Sequence, residues 1–242
     1  MSNSQKSVAI VTGASSGIGL GLVQALLARD YAVIATSRTA TKSKNLAASP
    51  NLVLVDGDIG KKTTAVAVAN AAMKHFGRID LLVNNAGMFM SKLFTDYTEE
   101  DFALMVSTNV ASFFYMSQQV IPAMQRQKSG HIVNISTTLV DQPVLGVPAS
   151  LPVLTKSTMS AVSRELAIEY AAQGIRINTV SPGTVNTPMH ASEDHETLKK
   201  LHPIQRLAEI SDIVDAVLYL TSASFVTGEN LRVDGGAHAG RW

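Results

Sequence analysis

The chain predicts an α/β fold: a parallel sheet of about seven strands with helices on both faces, three layers in all. Three observations carry this expectation. Short apolar runs rich in valine and isoleucine recur along the sequence, as strands buried on both faces require. Segments of helical period separate those runs. The first run, Val8 to Val11, breaks at Thr12-Gly13 into a glycine-rich turn and resumes as a helical pattern after Gly19. At 242 residues, 46% of them hydrophobic, the chain can bury one sizeable core, and residues 1–242 read as one domain without repeat or linker.

Composition narrows the function classes. A formal net charge of +1 and the small basic cluster at Lys42 and Lys44 give no attraction to nucleic acid or to a membrane surface. The absence of cysteine excludes disulfides, thiol nucleophiles and cysteine metal sites, and it fits a reducing compartment. The opening MSNSQKS lacks an apolar signal core, and no apolar run is long enough to span a bilayer. A cytoplasmic protein is the expectation.

The glycine turn carries the first chemistry. Gly13 lets the chain reverse, Gly17 lets backbone approach a pyrophosphate, and Gly19 lets the helix pack closely on the sheet. The unpaired N–H groups of the following helix, Ile18 to Ala28, favour a bound anion. A second strand, Tyr31 to Ala35, ends in Thr36-Ser37-Arg38. An acidic residue there would accept hydrogen bonds from the ribose of NAD, whereas an arginine pairs with the 2′-phosphate of NADP. Arg38, with no Asp or Glu between residues 32 and 44, favours NADP(H) over NAD(H).

Further elements follow in order. Leu52 to Val55 is a third strand, with Asp58-Ile59 after it; Asp58 also suits a helix N-cap. Thr63 to Phe76 is a helix closed by Gly77. Ile79 to Val83 is the fourth strand, ending in Asn84-Asn85-Ala86-Gly87. Thr98 to Asp101 opens a capped helix that carries Asn109 and continues to Gln127, bent at Pro122. His131 to Ile135 leads into Ser136-Thr137-Thr138. A helix from Ser157 to Tyr170, closed by Gly174, precedes the sixth strand, Ile175 to Val180. Residues 187–203 read as a mobile lid; their His190, His195 and His202 lack the helical spacing of a metal motif, so no metal site is expected. Ile213 to Leu220 is the last helix, and Phe225 to Gly236 the closing strand.

Four signatures in this order resemble the short-chain dehydrogenase/reductase family: TGxxxGIG at Thr12 to Gly19, NNAG at Asn84 to Gly87, the Ser181-Pro182-Gly183 loop, and Phe225 to Gly236. The resemblance implies a Rossmann-like fold, hydride transfer between a nicotinamide cofactor and a carbonyl or alcohol, and a homodimer or homotetramer. It implies that Gly13, Ser15, Ser16, Gly17, Ile18 and Gly19 surround the pyrophosphate, that Asp58 and Ile59 flank the adenine, and that Asn85, Ala86 and Gly87 line the cofactor. Pro182, Gly183, Val185 and Thr187 would then meet the nicotinamide. Ser16 stands where many NADP-using relatives carry a basic residue. Asn109 would bend its helix and hold a water of a proton relay; a purely structural hydrogen bond is the alternative.

Two positions depart from the family. The catalytic serine position falls on Thr137, whose hydroxyl can still hold a carbonyl, as can that of Ser136. With Lys156 matched to the lysine of Tyr-x-x-x-Lys, the tyrosine position is Pro152, and no tyrosine lies between Tyr115 and Tyr170. Proline carries no proton to give. The candidates to replace it are Lys156, directly or through a water near Asn109, Ser150, and His190 or His195. An NADP-preferring oxidoreductase with a modified proton donor, a nucleotide-binding protein without turnover, and a hydro-lyase or isomerase are the readings left open.

Overall fold

The computed structural model describes residues 6–240, so the first five residues, on which part of the signal-sequence reading rests, lie outside it. In chain order its main elements are β1 (Val8–Thr12), α1 (Gly17–Leu27), β2 (Ala32–Ser37), β3 (Leu52–Asp56), α2 (Lys62–Phe76), β4 (Leu81–Asn84), α3 (Glu99–Met105), α4 (Ser112–Gln127), β5 (Gly130–Ile135), α5 (Ser150–Tyr170), β6 (Ile175–Pro182), α6 (His195–Leu198), α7 (Ile210–Ser222) and β7 (Asn230–Val233). The strands form one seven-stranded sheet in the order β3-β2-β1-β4-β5-β6-β7. Every pairing is parallel.

Alternation along the strands makes the layers. Ala9 and Val11 of β1 face a core with Leu22 and Leu26 of α1 and Val217 and Leu220 of α7. Val8 and Ile10 face the opposite core, with Val68 of α2, Val120 and Met124 of α4, and Ala167 of α5. Both faces are apolar, which is why the strand sequences read as continuous hydrophobic runs. The expected three-layer Rossmann-like sandwich is the fold found. Among the described residues no helix is long and apolar enough to cross a membrane.

The helix entering the site begins as its sequence requires. Thr98 caps α3 in a reciprocal box, its hydroxyl accepting from the Asp101 N–H while the Asp101 carboxylate accepts from the Thr98 N–H. Between α3 and α4, residues Val106–Ala111 form a π-helical bulge that turns Asn109 inward, and α4 then continues past Pro122.

Two boundaries differ from the sequence reading by more than three residues. Helix α5 starts at Ser150 rather than Ser157, because Pro152 lies in its first turn, where a missing N–H forfeits no helical bond. The closing strand is only Asn230–Val233. Before it, Phe225 is fully exposed and Gly228 turns the chain at φ +76°, donating its N–H to the Ile177 carbonyl at 2.7 Å. Residues 187–203 fold into short helical turns.

Beneath the sheet's C-terminal half the interior is polar but paired. Asn84 Nδ2 donates to Asn134 Oδ1 at 2.8 Å, Asn134 Nδ2 to Ser163 Oγ at 2.8 Å, and Thr179 Oγ1 to the same Ser163 Oγ at 3.1 Å. This chain ties β4, β5 and β6 to α5. Nearby, buried His131 receives Asn178 Nδ2 at Nε2, 3.0 Å away. Burial, aided by the Arg176 charge, pushes the His131 pKa from 6.5 down to about 3. The unfolded chain therefore takes up a proton that the native ring refuses, and stability falls as pH drops through that interval. His131→Gln, which keeps an acceptor for Asn178, is expected to shallow the acid limb by up to about 1.4 kcal/mol per pH unit. Urea unfolding across an acid pH series measures this; parallel limbs for the two proteins would remove His131 as the titrating group.

Candidate active site

The site forms where the sheet order reverses, beyond the C-terminal ends of β1 and β4. Thr12 joins them. Its buried hydroxyl oxygen accepts from the Asn85 N–H at 3.0 Å and the Ala86 N–H at 2.9 Å, and its O–H faces the Val83 carbonyl at 3.4 Å. Asn85 Nδ2 returns a bond to the Thr12 carbonyl at 2.8 Å. The two loops lie so close that a Cβ on Gly13, already at φ +66°, would sit 2.9 Å from Ala86 Cα. A Cβ on Gly19 would fall 2.3 Å from the Gly13 carbonyl oxygen, so Gly19 does serve close packing of the turn. Thr12 is not among the site residues expected from the sequence, although it is the first fixed letter of its motif.

A cleft of about 920 Å³ opens above this junction. Gly13, Ser15, Ser16, Gly17 and Ile18 line it from the first turn, Arg38 from the end of β2, and Asp58 and Ile59 from the loop after β3. Asn85, Ala86 and Gly87 line it after β4, Thr137 after β5, Lys156 from α5, Pro182 at the end of β6, and Gly183, Val185 and Thr187 after it. Gly19 and Asn109 lie behind the wall. Asp58 does not cap α2, whose N-cap is Lys61; its carboxylate accepts instead from the Gly60 N–H at 3.0 Å.

Lys156 and Asn109 converge on Gly87, where an added Cβ would meet Asn109 Oδ1 at 3.3 Å and Lys156 Nζ at 3.7 Å. Asn109 is a strap: Oδ1 accepts from the Met88 N–H at 2.9 Å, while Nδ2 donates to the Met88 carbonyl at 3.1 Å and to Thr155 Oγ1 at 3.0 Å. Lys156 Nζ donates to the Ser136 carbonyl at 3.3 Å, and burial pushes its pKa from 10.5 down to about 8. Of three consecutive hydroxyls, Ser136 bonds the Lys156 carbonyl at 3.1 Å and Thr138 the Asp234 carboxylate at 2.5 Å. Thr137 accepts only a long bond from the Leu139 N–H, 3.4 Å, which leaves its O–H available on the cleft wall.

The remaining proton-carrying candidates separate by position. Pro152 is buried one helical turn before Lys156. Ser150 is exposed and off the cleft, as is His195, whose Nε2 lies 3.2 Å from the His190 carbonyl. His190 reaches the cleft but is paired through Nδ1 with Glu193 at 2.7 Å. His202 braces the loop after β6, accepting the Thr184 N–H at Nε2 over 2.9 Å; burial pushes its pKa down. The sequence reading also misses an apolar wall of Met88, Phe89, Leu104, Val144, Leu145 and Met189, because these residues sit mostly in loops, where no periodicity marks them.

Residues 13–238 match the protein-family profile described as enoyl-(acyl carrier protein) reductase. The chain is 37% identical over 247 residues to a 3alpha-hydroxysteroid dehydrogenase of Mediterraneibacter gnavus, covering 96% of this chain and 97% of that protein. It superposes on ElxO, solved as a tyrosine-to-phenylalanine variant with NADPH bound, with a TM-score of 0.91 at 29% identity, covering 97% of this chain and all of that one. The 3-ketoacyl-(acyl-carrier-protein) reductase of Brucella melitensis, complexed with NADH, gives a TM-score of 0.90 at 27% identity, covering 97% of this chain and 100% of that one. This chain belongs to the short-chain dehydrogenase/reductase family.

The residues present fit the nicotinamide dinucleotide on which such oxidoreductases depend. Ser16, the N-cap of α1, makes no side-chain capping bond, so the first-turn N–H groups keep their donors for an anion. Thr36 Oγ1 is buried without a partner on the cleft wall. At the end of β3, Asp56 accepts from the Thr41 N–H at 2.8 Å and hydroxyl at 2.5 Å and makes no ion pair with Arg38. Thr12→Val keeps the shape but orphans two part-buried N–H groups. It is expected to cost roughly 2–4 kcal/mol in denaturant unfolding and to weaken NADPH binding together with stability. Unchanged unfolding would show that the junction does not depend on this hydroxyl.

Proposed function

We propose that this protein is an NADP-preferring oxidoreductase in which Lys156 moves the proton that a tyrosine moves in its relatives. The observation that carries the reading is the position of Lys156: a cation on the cleft wall beside Gly87, bonded at 3.3 Å to the carbonyl of Ser136, the residue before Thr137, with its pKa lowered to about 8. Bound nicotinamide supplies or accepts the hydride. Thr137 holds the substrate oxygen, and Lys156 gives that oxygen a proton during reduction and takes it back during oxidation. Ser150 and His195 are off the cleft and His190 is committed to Glu193, which leaves Lys156 as the group that fits. Pro152 stands at the tyrosine position of the family motif.

NADP preference rests on Arg38, which lines the cleft at the end of β2 and has no ion pair among the described residues. A homodimer or homotetramer is supported by exposed apolar side chains on the outer faces of α4 and α5, including Phe114, Leu154 and Ile168. A cytoplasmic setting is supported by the absence of cysteine.

Pro152 also favours a second reading, a nucleotide-binding protein without turnover. Fluorescence titration with NADPH followed by a carbonyl panel separates the two: binding with no oxidation of NADPH by any carbonyl establishes the second. Arg38→Ala is expected to weaken NADPH binding roughly tenfold to a hundredfold while leaving NADH binding unchanged. Equal losses for both cofactors would refute the 2′-phosphate contact.

A Lys156 donor also fixes the pH response. Below about pH 8 the ammonium form dominates, so reduction is expected to fall as pH rises through that value and oxidation to rise. Pro152→Tyr is expected to move the pH profile away from the lysine and to raise kcat by less than the about 10²–10⁴-fold that a general acid contributes where none is present, with thermal unfolding as the control for intact folding. A well-folded variant with neither change would mean that proton transfer does not limit turnover.

A further inference from the structure

Past Lys156 the cleft changes character. Val144 and Leu145 belong to a loop flanked by Pro143 and Pro148, and Leu145 is 99% exposed at its tip. Gly146, at φ +86°, would meet no atom within 4 Å if it carried a Cβ, so the loop tip stands clear of the body. Met88, Phe89, Leu104 and Met189 line the same cleft, the last two half-exposed. Apolar side chains at the mouth of a cleft, with no core to pack on, gain free energy when an apolar body covers them.

Charge points the same way. Arg38 and Lys156 are the cleft's only lysine or arginine among the described residues. The first lies at the end of β2 and the second beside Ser136. The carboxylate on this wall, Glu193, is already engaged by His190. The part of a substrate that enters among these apolar side chains meets no lysine or arginine besides Lys156, so a charge on that part would go unpaired.

We propose that the substrate is an uncharged hydrophobic ketone, or the matching secondary alcohol, whose hydrocarbon body is covered by the Val144-Leu145 loop. The inference rests on the oxidoreductase reading above. In reduction the carbonyl carbon gains the hydride and its oxygen the proton, two electrons passing from reduced nicotinamide to the ketone.

The test measures binding of methyl ketones of increasing length, butanone to decanone, to the full chain by calorimetry, with and without NADPH. Acetoacetyl-CoA is run beside them, and kcat/KM is followed in parallel. Affinity is expected to rise about threefold to fourfold per methylene, and Leu145→Asp to flatten that slope without changing NADPH affinity. A flat slope in the unaltered protein, an unchanged slope in Leu145→Asp, or acetoacetyl-CoA binding more tightly than the free ketones overturns the proposal. The oxidoreductase reading fails separately: a steep slope with no NADPH binding, or with no turnover, supports the hydrophobic wall and removes the redox chemistry.

Discussion

The cleft hangs on the contact between the two loops that leave β1 and β4. At a reversal of strand order the chains above neighbouring strands run to opposite sides, and nothing in the sheet's own hydrogen bonding holds their ends together. Here a single hydroxyl does it. Thr12 satisfies the N–H groups of Asn85 and Ala86, and Asn85 answers by bonding the Thr12 carbonyl. Each such bond contributes only about 1 kcal/mol net, but each donor left unpaired in the interior costs about 1–3 kcal/mol. The junction therefore loses more from an unpaired donor than it gains from each bond, to the extent that solvent in the cleft does not reach that donor. It also explains the glycines better than ligand approach alone: Gly13 and Gly19 are required by the protein's own backbone before any ligand is present.

From that junction the ionisable centre is built by subtraction. At Gly87 a Cβ would crowd Asn109 Oδ1 at 3.3 Å and only touch Lys156 at 3.7 Å, so the missing side chain serves the Asn109 strap, while Lys156 reaches past it to the Ser136 carbonyl. The π-helical bulge at Val106–Ala111 delivers Asn109 to this spot, and Thr155, the residue beside Lys156, receives its second N–H. The lysine is thus held in position through its neighbour. Its surroundings offer a carbonyl oxygen and no paired carboxylate, so nothing offsets the loss of solvent that lowers its pKa.

Much of this is legible in the sequence, for identifiable reasons. Strands buried on both faces write themselves as apolar runs, and Val8 to Val11 or Leu81 to Val83 need no context to be read. Motif letters that serve the backbone, such as Gly13 and Asn85, are likewise recoverable, because few residue types can do what they do. The expected site residues gather on one cleft with the exceptions of Gly19 and Asn109, which act behind its wall. Loop geometry is not legible. Phe225 to Glu229 is rich in strand formers yet forms a turn against β6, since Gly228 adopts a positive φ and pairs with Ile177. The apolar substrate wall escapes for the same reason, being assembled mostly from loops whose spacing carries no period.

Pro152 shows why fold and chemistry can part company at one position. Proline's two defects, the missing N–H and the fixed φ, are harmful inside a helix but nearly harmless in its first turn, where the N–H has no helical acceptor. Pro152 sits in that turn, buried, and its carbonyl still accepts from Thr155 Oγ1 at 3.2 Å. The residue that cannot carry a proton is consequently placed where the fold loses least by it. Neither the sheet, the glycine turn nor the lysine depends on a hydroxyl at that point. Any selection on stability alone would accept the proline. What sets the lysine apart is therefore the cleft itself, where a half-buried cation with a lowered pKa and the free O–H of Thr137 share one wall, and a cation that costs solvation to hold there is available to whatever binds beside it.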